Sequence, residues 1–453
     1  MAEIDLRAQT WFAVRRQLGR ACWAARYTVL FFLFLSALTA CRLDQAPQAE
    51  DRVRFMVFGD PAELAAYREL VNAFKAERPE IEVELVHVPS QEDYRIRLVT
   101  EYAAGSPPDV SLLNYRRYAA FAAEGLLEPI GPYLAESETL SVADYYPLPM
   151  EAFTWKGELT CLPQNVSSLV VYFNVDLFAA AGLLAPADVW SWEQFLEAAK
   201  ALTLDRDGDG RNDQYGLGLE PTLVRLAPFI WQNGGELVND RQNPERLMLA
   251  RPAAMAALQW FVDLRQVHGV TPDREEEASL DSESRFLAGT LAMYLNSRRG
   301  TPAYRAITGF RWDVAQLPRG ERSAGILHSD GYCLARASQN KEAAWALIEF
   351  ANSAAGQTIV ARSGRIVPSL IAVAESPVFL DPDLPPFRSQ VFLSTLPDLR
   401  LLPLISTWEE IEAAAGEEIA RAYYGDIRAE EAAALAVERT LEYFFLRRLN
   451  AAP

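Results

Sequence analysis

Histidine and lysine are scarce in this 453-residue sequence. There are three His (His87, His268, His328) and four Lys, so Arg supplies 39 of the 43 basic residues. Four Cys complete a small stock of soft ligands, too few to nominate a zinc or iron centre. Basic charge is in deficit, 43 residues against 61 acidic for a net charge of −18, whereas a protein that neutralises nucleic-acid phosphates needs a basic face. Neither a catalytic cofactor nor a nucleic-acid partner is expected. Missing too are a Gly-x-Ser-x-Gly elbow, a His-Glu-x-x-His pair and a phosphate-cradling glycine loop, so no enzyme is expected. A glycoside hydrolase would need only two facing carboxylates, and 61 acidic residues offer such pairs without specifying one. That reading, and a calcium-bearing surface adhesin, stand as the alternatives. What remains is ordinary globular composition, 50% hydrophobic and 23% charged. The length suits two or three core-forming units, or two lobes woven from a discontinuous chain.

The N-terminus is the first specific feature. Residues 1–26 carry five Arg against Glu3 and Asp5, and Tyr27 to Ala40 has no charge. This is the layout of a signal peptide. About 14 apolar residues at 1.5 Å each fall short of a ~30 Å hydrocarbon core, so a permanent span is not expected. The run ends in Leu38-Thr39-Ala40-Cys41, small residues before a Cys that resemble the bacterial lipobox. Its implications are cleavage after residue 40, a lipid chain (palmitate) on Cys41, and a tether over residues 41–51. The mature chain then has a net charge of −21 and sits lipid-anchored on the extracytoplasmic face of the cell membrane. In an oxidising compartment Cys161 and Cys333 could pair or remain two buried thiols; a sequence separation of 172 leaves that open.

Beyond the tether, strands and helices alternate. Arg52 to Phe58 begins with period-2 alternation and turns continuously apolar, as a strand entering a buried sheet does. Gly59 breaks it, and Asp60-Pro61-Ala62-Glu63 starts a helix with an Asp cap and Pro at the first position. A strand at Ile81–Leu85, a helix over Asp93–Ala104 and a strand at Pro108–Asn114 complete βαβαβ, hence a mainly parallel sheet. Ligands of such sheets bind at the carboxyl ends of the strands, here Phe58-Gly59-Asp60 and Asn114-Tyr115-Arg116. Trp190-Ser191-Trp192-Glu193-Gln194-Phe195 is a further helix start, with Ser as cap, Gln three on and Trp190 placed to staple Phe195.

Several segments, in order, resemble the extracellular solute-binding proteins of bacterial sugar ABC transporters, the family containing the maltose-binding protein. They include Phe74-Lys75-Ala76-Glu77-Arg78-Pro79, Pro108-Asp109-Val110, Gly157 to Pro163, Tyr172 to Phe178, Phe286 to Met293 and Lys341 to Trp345. The resemblance implies the type II periplasmic-binding-protein fold: two α/β lobes, a hinge and a central ligand cleft. By position it assigns 52–165 with about 334–385 to one lobe, and 166–333 with about 386–453 to the other. It further implies a monomer that captures a mono- or oligosaccharide and delivers it to permease subunits. If an Arg of the Arg298-Arg299 pair faces the cleft, a glycerol phosphate or acidic sugar becomes an alternative ligand.

A sugar site needs aromatic faces for the C–H side of the ring and planar polar groups for the hydroxyls. The resemblance carries binding roles to Asp60 and Glu63, to Asn114 and Tyr115, to Asn165 and Ser167, and to Glu220 and Thr222. It adds Asn296, Arg298 and Arg299, then Asp330, Gly331 and Tyr332, and Trp408. Trp231 is expected either in the cleft or in a lobe core. Separately, Asp205, Asp207, Asp209 and Asp213, with Gly210, reproduce most of a calcium-loop spacing, although Gly216 stands where a bidentate Glu belongs. A structural calcium is expected there, or a plain polar turn.

Overall fold

The computed structural model of the chain describes residues 52–450, with side chains to residue 446. The leader, Cys41 and the tether lie outside the described residues. Among those described, no helix is long and apolar enough to cross a membrane.

β1 (Arg52–Phe58) forms as its pattern requires, with Val53, Phe55, Met56 and Val57 fully buried. Gly59 turns the chain at φ +140°, and α1 (Pro61–Glu77) begins under the Asp60 cap, whose Oδ1 accepts from Ala62 N at 2.9 Å and Glu63 N at 3.0 Å. Tyr67, Leu70 and Phe74 are its buried stripe. β2 (Glu82–Val88), α2 (Gln91–Ala103), β3 (Val110–Asn114) and α3 (Tyr115–Ala123) follow. Both β2 and β3 pair with β1 in parallel, as the βαβαβ reading requires.

A hairpin of β4 (Thr154–Trp155) and β5 (Glu158–Leu159) leads to β6 (Cys161–Pro163), and the chain then crosses to a second sheet. That sheet holds β7 (Val170–Asn174), β8 (Tyr215–Gly218), β9 (Leu291–Asn296) and β10 (Trp312–Ala315), in the order β10-β7-β9-β8. The Ser191 cap with Gln194 is present, and the Trp190 and Phe195 rings meet edge-on with centroids 5.2 Å apart. After β11 (Gly325–Ile326) the chain crosses back. β12 (Asp330–Leu334) inserts antiparallel between β3 and β6, giving the first sheet the order β2-β1-β3-β12-β6. The expected lobe boundary at 333/334 therefore falls inside the first sheet, and the return lies at 327–329.

The crossings run side by side. Ser167 N donates to His328 O and His328 N to Ser167 O, both at 2.8 Å, and Val166 N donates to Val367 O at 2.9 Å. Cys161 and Cys333 lie directly opposite in the β6–β12 ladder and form a disulfide, which settles the question of their pairing. The result is two α/β lobes, each around its own sheet, joined by three adjacent segments.

Candidate functional site

Between the sheets lies a cavity of about 640 Å³, into which the carboxyl ends of β1 and β3, the crossings and the ends of β8 and β9 open. On the first wall stand Asp60, Glu63 and Asn114, with Asn165, Ser167 and Asp330 on or beside the crossings. From the second lobe come Glu220, Thr222, Asn296 and Arg299. These ten expected residues come together in the lining of one cavity.

Six others do not reach the cleft. Tyr115 follows a cleft-facing residue by one position, so its ring turns into the core and its hydroxyl lies 3.5 Å from Leu402 N. Arg298 is buried for the same reason. Its Nε donates to Gly364 O at 2.8 Å, its Nη1 to Ser389 Oγ at 3.2 Å, and the guanidinium sits over the rings of Phe379 and Phe392. Tyr332 shares a strand face with Asp330 but lies one pleat deeper, against Phe55, its hydroxyl accepting from Gln164 Nε2 at 2.5 Å. Gly331 is a packing position, since a Cβ there would meet the Phe153 ring at 2.8 Å. Trp231 is a core residue, its ring covered by Arg400. Trp408 opens the helix α4 (Trp408–Tyr423) from inside the core. The expected aromatic platforms are thus structural, and the only aromatic carbocycles in the lining are Phe58 and Tyr294, 5% and 4% exposed.

Charge dominates instead, with seven carboxylates and four Arg in the lining. Most are paired inside the protein. Arg365, buried and unforeseen from the sequence, bridges Asp60 Oδ2 at 2.5 Å and Glu63 Oε1. Arg116 Nη1 donates to Glu412 Oε1 at 2.6 Å, which ties α3 to α4, and Arg225 Nη2 lies 3.1 Å from Glu220 Oε2. The other acids are held by neutral donors. Asn114 Nδ2 and Asn165 Nδ2 donate to Asp330 at 3.0 and 3.3 Å, Tyr304 OH to Glu283 at 2.7 Å, and Ser284 N to Asp281 at 2.7 Å. Nothing in the sequence marks Arg225, Glu283, His328, Arg365 or Glu412; the partners of Glu283, Arg365 and Glu412, which are Tyr304, Asp60 and Arg116, lie remote in the chain.

Of the lining groups, Glu63 and His328 are shifted in the range that decides their charge near neutral pH. Burial pushes the Glu63 carboxyl from its ordinary 4.5 up to about 7, with Arg365 opposing and Asp60 adding to the rise. Its position depends on Gly59, since a Cβ there would fall 1.5 Å from Glu63 Oε2. Burial, reinforced by Arg116 and then Arg225, holds His328 well below its usual value, so the imidazole is neutral.

In the Asp205 loop, ligand oxygens of Asp205, Asp207 and Asp209 lie within 4.8 Å of one another. Asp213 Oδ2 accepts from Arg206 N at 2.7 Å and closes the loop. Position 12 is Gly216, inside β8, where a Cβ would strike Ala199 O at 1.9 Å, so no side chain can complete the shell from there.

A carboxyl raised on folding binds its proton more tightly in the native state, so its contribution to stability falls as pH rises between 4.5 and about 7. Glu63→Gln removes this slope. Urea titrations from pH 4 to 8 will show the variant gaining on the parent with rising pH, by up to about 3 kcal/mol across the window. A pH-independent difference would place the Glu63 titration elsewhere.

A family model described as bacterial extracellular solute-binding protein matches residues 59–358. A protein of Brucella abortus named as a binding protein is 25% identical over 386 residues, 83% of this chain and 89% of its own. The mannitol-binding protein of Pseudomonas aeruginosa is 23% identical over 67% of this chain and 69% of its own. Among solved structures, an ABC substrate-binding protein of Listeria monocytogenes in complex with cycloalternan superposes with a TM-score of 0.79 at 23% identity, covering 86% of this chain and 97% of that one. Order of elements, crossings and cleft agree with that likeness, and the chain belongs to the bacterial extracellular solute-binding protein family.

Proposed function

We propose that the protein captures a carbohydrate in the cleft and presents it to the permease subunits of an ABC importer. The observation that carries this is the lining itself, in which donors and acceptors from both lobes and from the crossings converge on one cavity of sugar-accommodating size. Relatives named for mannitol and for maltotriose, and solved neighbours with tagatose or maltose bound, support the ligand class. Work of this kind is binding without turnover. Open and closed lobe arrangements interconvert about the crossings, and a ligand touching both walls favours the closed one, which docks on the permease. The ten cleft residues of the expected set are the proposed contacts, and the protein acts as a monomer. Paired carboxylates of a hydrolase find no support here, since four of the seven cleft acids are already in ion pairs with Arg.

Calorimetric titration with mannitol, tagatose, maltose and maltotriose is expected to give at least one micromolar or tighter complex, about −8 kcal/mol or better. Small-angle scattering should then show a smaller radius of gyration with that ligand. If none of these or other mono- and oligosaccharides binds, the proposal fails.

Lipid attachment at Cys41 belongs to the same reading. Cys41→Ser is expected to move the protein from the membrane fraction to the soluble extracytoplasmic fraction without changing sugar affinity; retention on the membrane would exclude the anchor. The Asp205 loop is proposed as a structural calcium site, for which millimolar calcium must raise the melting temperature and chelator must reverse the gain.

A further inference from the structure

The lobes are joined by more than the three crossings. On one flank of the cleft, α2 and α3 of the first lobe bring Arg95, Arg116 and Arg117 against the start of α4, where Glu409 and Glu412 stand about one turn apart. Arg95 Nη1 lies 2.5 Å and Arg117 Nε 3.1 Å from the same oxygen, Glu409 Oε1. Arg116 Nη1 lies 2.6 Å from Glu412 Oε1. Three cations of one lobe thus converge on two anions of the other.

α4 moves with the second lobe, because its far end is built into it. The Tyr423 ring packs on Phe261 with centroids 5.5 Å apart, Tyr423 OH donates to Thr271 Oγ1 at 2.8 Å, and Gln266 Nε2 donates to Tyr423 O at 2.7 Å. On the other side α2 is fixed to the first sheet, where Tyr94 OH donates to Leu112 O of β3 at 2.8 Å. A swing that opens this flank therefore draws the three Arg away from the two Glu. It also leaves the guanidinium groups facing one another. Arg117 is already held below its usual value, first by burial and then by Arg116 beside it, with Glu409 and Glu412 opposing. A carboxylate in a first helical turn, as Glu409 is, suits the helix dipole wherever the helix lies. The dipole does not account for cations arriving from two separate helices of the opposite lobe.

We propose that Arg95, Arg116 and Arg117 with Glu409 and Glu412 form an electrostatic strap across one flank of the cleft, which biases the lobes toward closure before any ligand arrives and makes that bias fall with ionic strength. Glu409 is half-exposed, so salt reaches the outer pairs, whereas the inner Arg116–Glu412 pair is more covered and is screened less. The sign of the effect separates it from overall charge. A chain with a net charge of −18 repels itself, and added salt eases that repulsion and favours compactness; salt acting on the strap does the reverse. Only the effect of the strap on affinity rests on the carbohydrate-capture reading.

Small-angle scattering on the ligand-free protein, extrapolated to zero protein concentration, tests the strap directly. The radius of gyration should rise between about 0.01 M and about 1 M NaCl, as the Debye length falls from ~30 to ~3 Å. Glu409→Gln, an isosteric change at a half-exposed position, should have the larger radius already at low salt. The double variant Arg95→Gln/Arg117→Gln should match it, and combining all three substitutions should add nothing further. These variants move the net charge in opposite directions, so a shared outcome belongs to the pairing. A parent whose radius stays constant or shrinks as salt rises overturns the strap, and so does an unchanged low-salt radius in Glu409→Gln. In calorimetry, whichever of mannitol, tagatose, maltose and maltotriose binds the parent should bind Glu409→Gln about two- to fivefold more weakly at low salt, with the gap closing near about 1 M. Equal affinity at low salt also overturns the strap. If no sugar binds the parent, the carbohydrate reading falls, and the scattering result decides the strap by itself.

Discussion

Three chain segments lying side by side between the sheets fix everything else about the cleft. Ser167 and His328 exchange backbone hydrogen bonds at 2.8 Å in both directions, and Val166 bonds to Val367. Gln164 is tied to the strand mouth through Asp330 O, and its own carbonyl accepts from Ser369 N and from Gln357 Nε2. Because this ladder is made of backbone, it stands whatever the side chains are doing. A hinge built of side-chain contacts could not be both floor and binding surface.

Electrostatics follows from the same economy. A cleft with seven carboxylates would repel itself were they all free, yet Arg365, Arg116 and Arg225 take four of them and neutral donors hold the rest. Arg365 matters most, because it sits where two acidic groups share one helix start and the helix amides already use Asp60 Oδ1. Arg116 and Glu412 play another part, joining helix α3 of the first lobe to α4 at the side of the cavity. That pair is partly buried on both sides and is less weakened by solvent than the exposed ion pairs elsewhere on the surface.

Local chemistry was readable in the sequence wherever it acts over a few residues. The Asp60-Pro61 start, the Ser191–Gln194 box, the parallel strands and their ligand-facing ends all came from periodicity and caps. Residues one step off a strand end were harder: Asn114 faces the cavity while Tyr115 faces the core, and Arg299 lines the cleft while Arg298 is sealed beneath it. Aromatic count was misleading for a physical reason, since Trp231, Trp408 and Tyr332 contribute more by burial than any exposed platform could. Arg365 was invisible because its partners lie about 300 positions away, at Asp60 and Glu63. The pairing of Cys161 with Cys333 was undecidable at a separation of 172 for the same reason.

That disulfide has a mechanical meaning. It joins β6, from which the chain leaves for the second lobe, to β12, on which it arrives back, and it does so inside the sheet just short of both crossings. The outgoing and returning chains are thereby clamped at a common base. Load on either of these crossings cannot peel β6, the edge strand, off its sheet without breaking the link to β12. In these two of the three crossings, only the handful of residues between the clamp and the second sheet is left to bend.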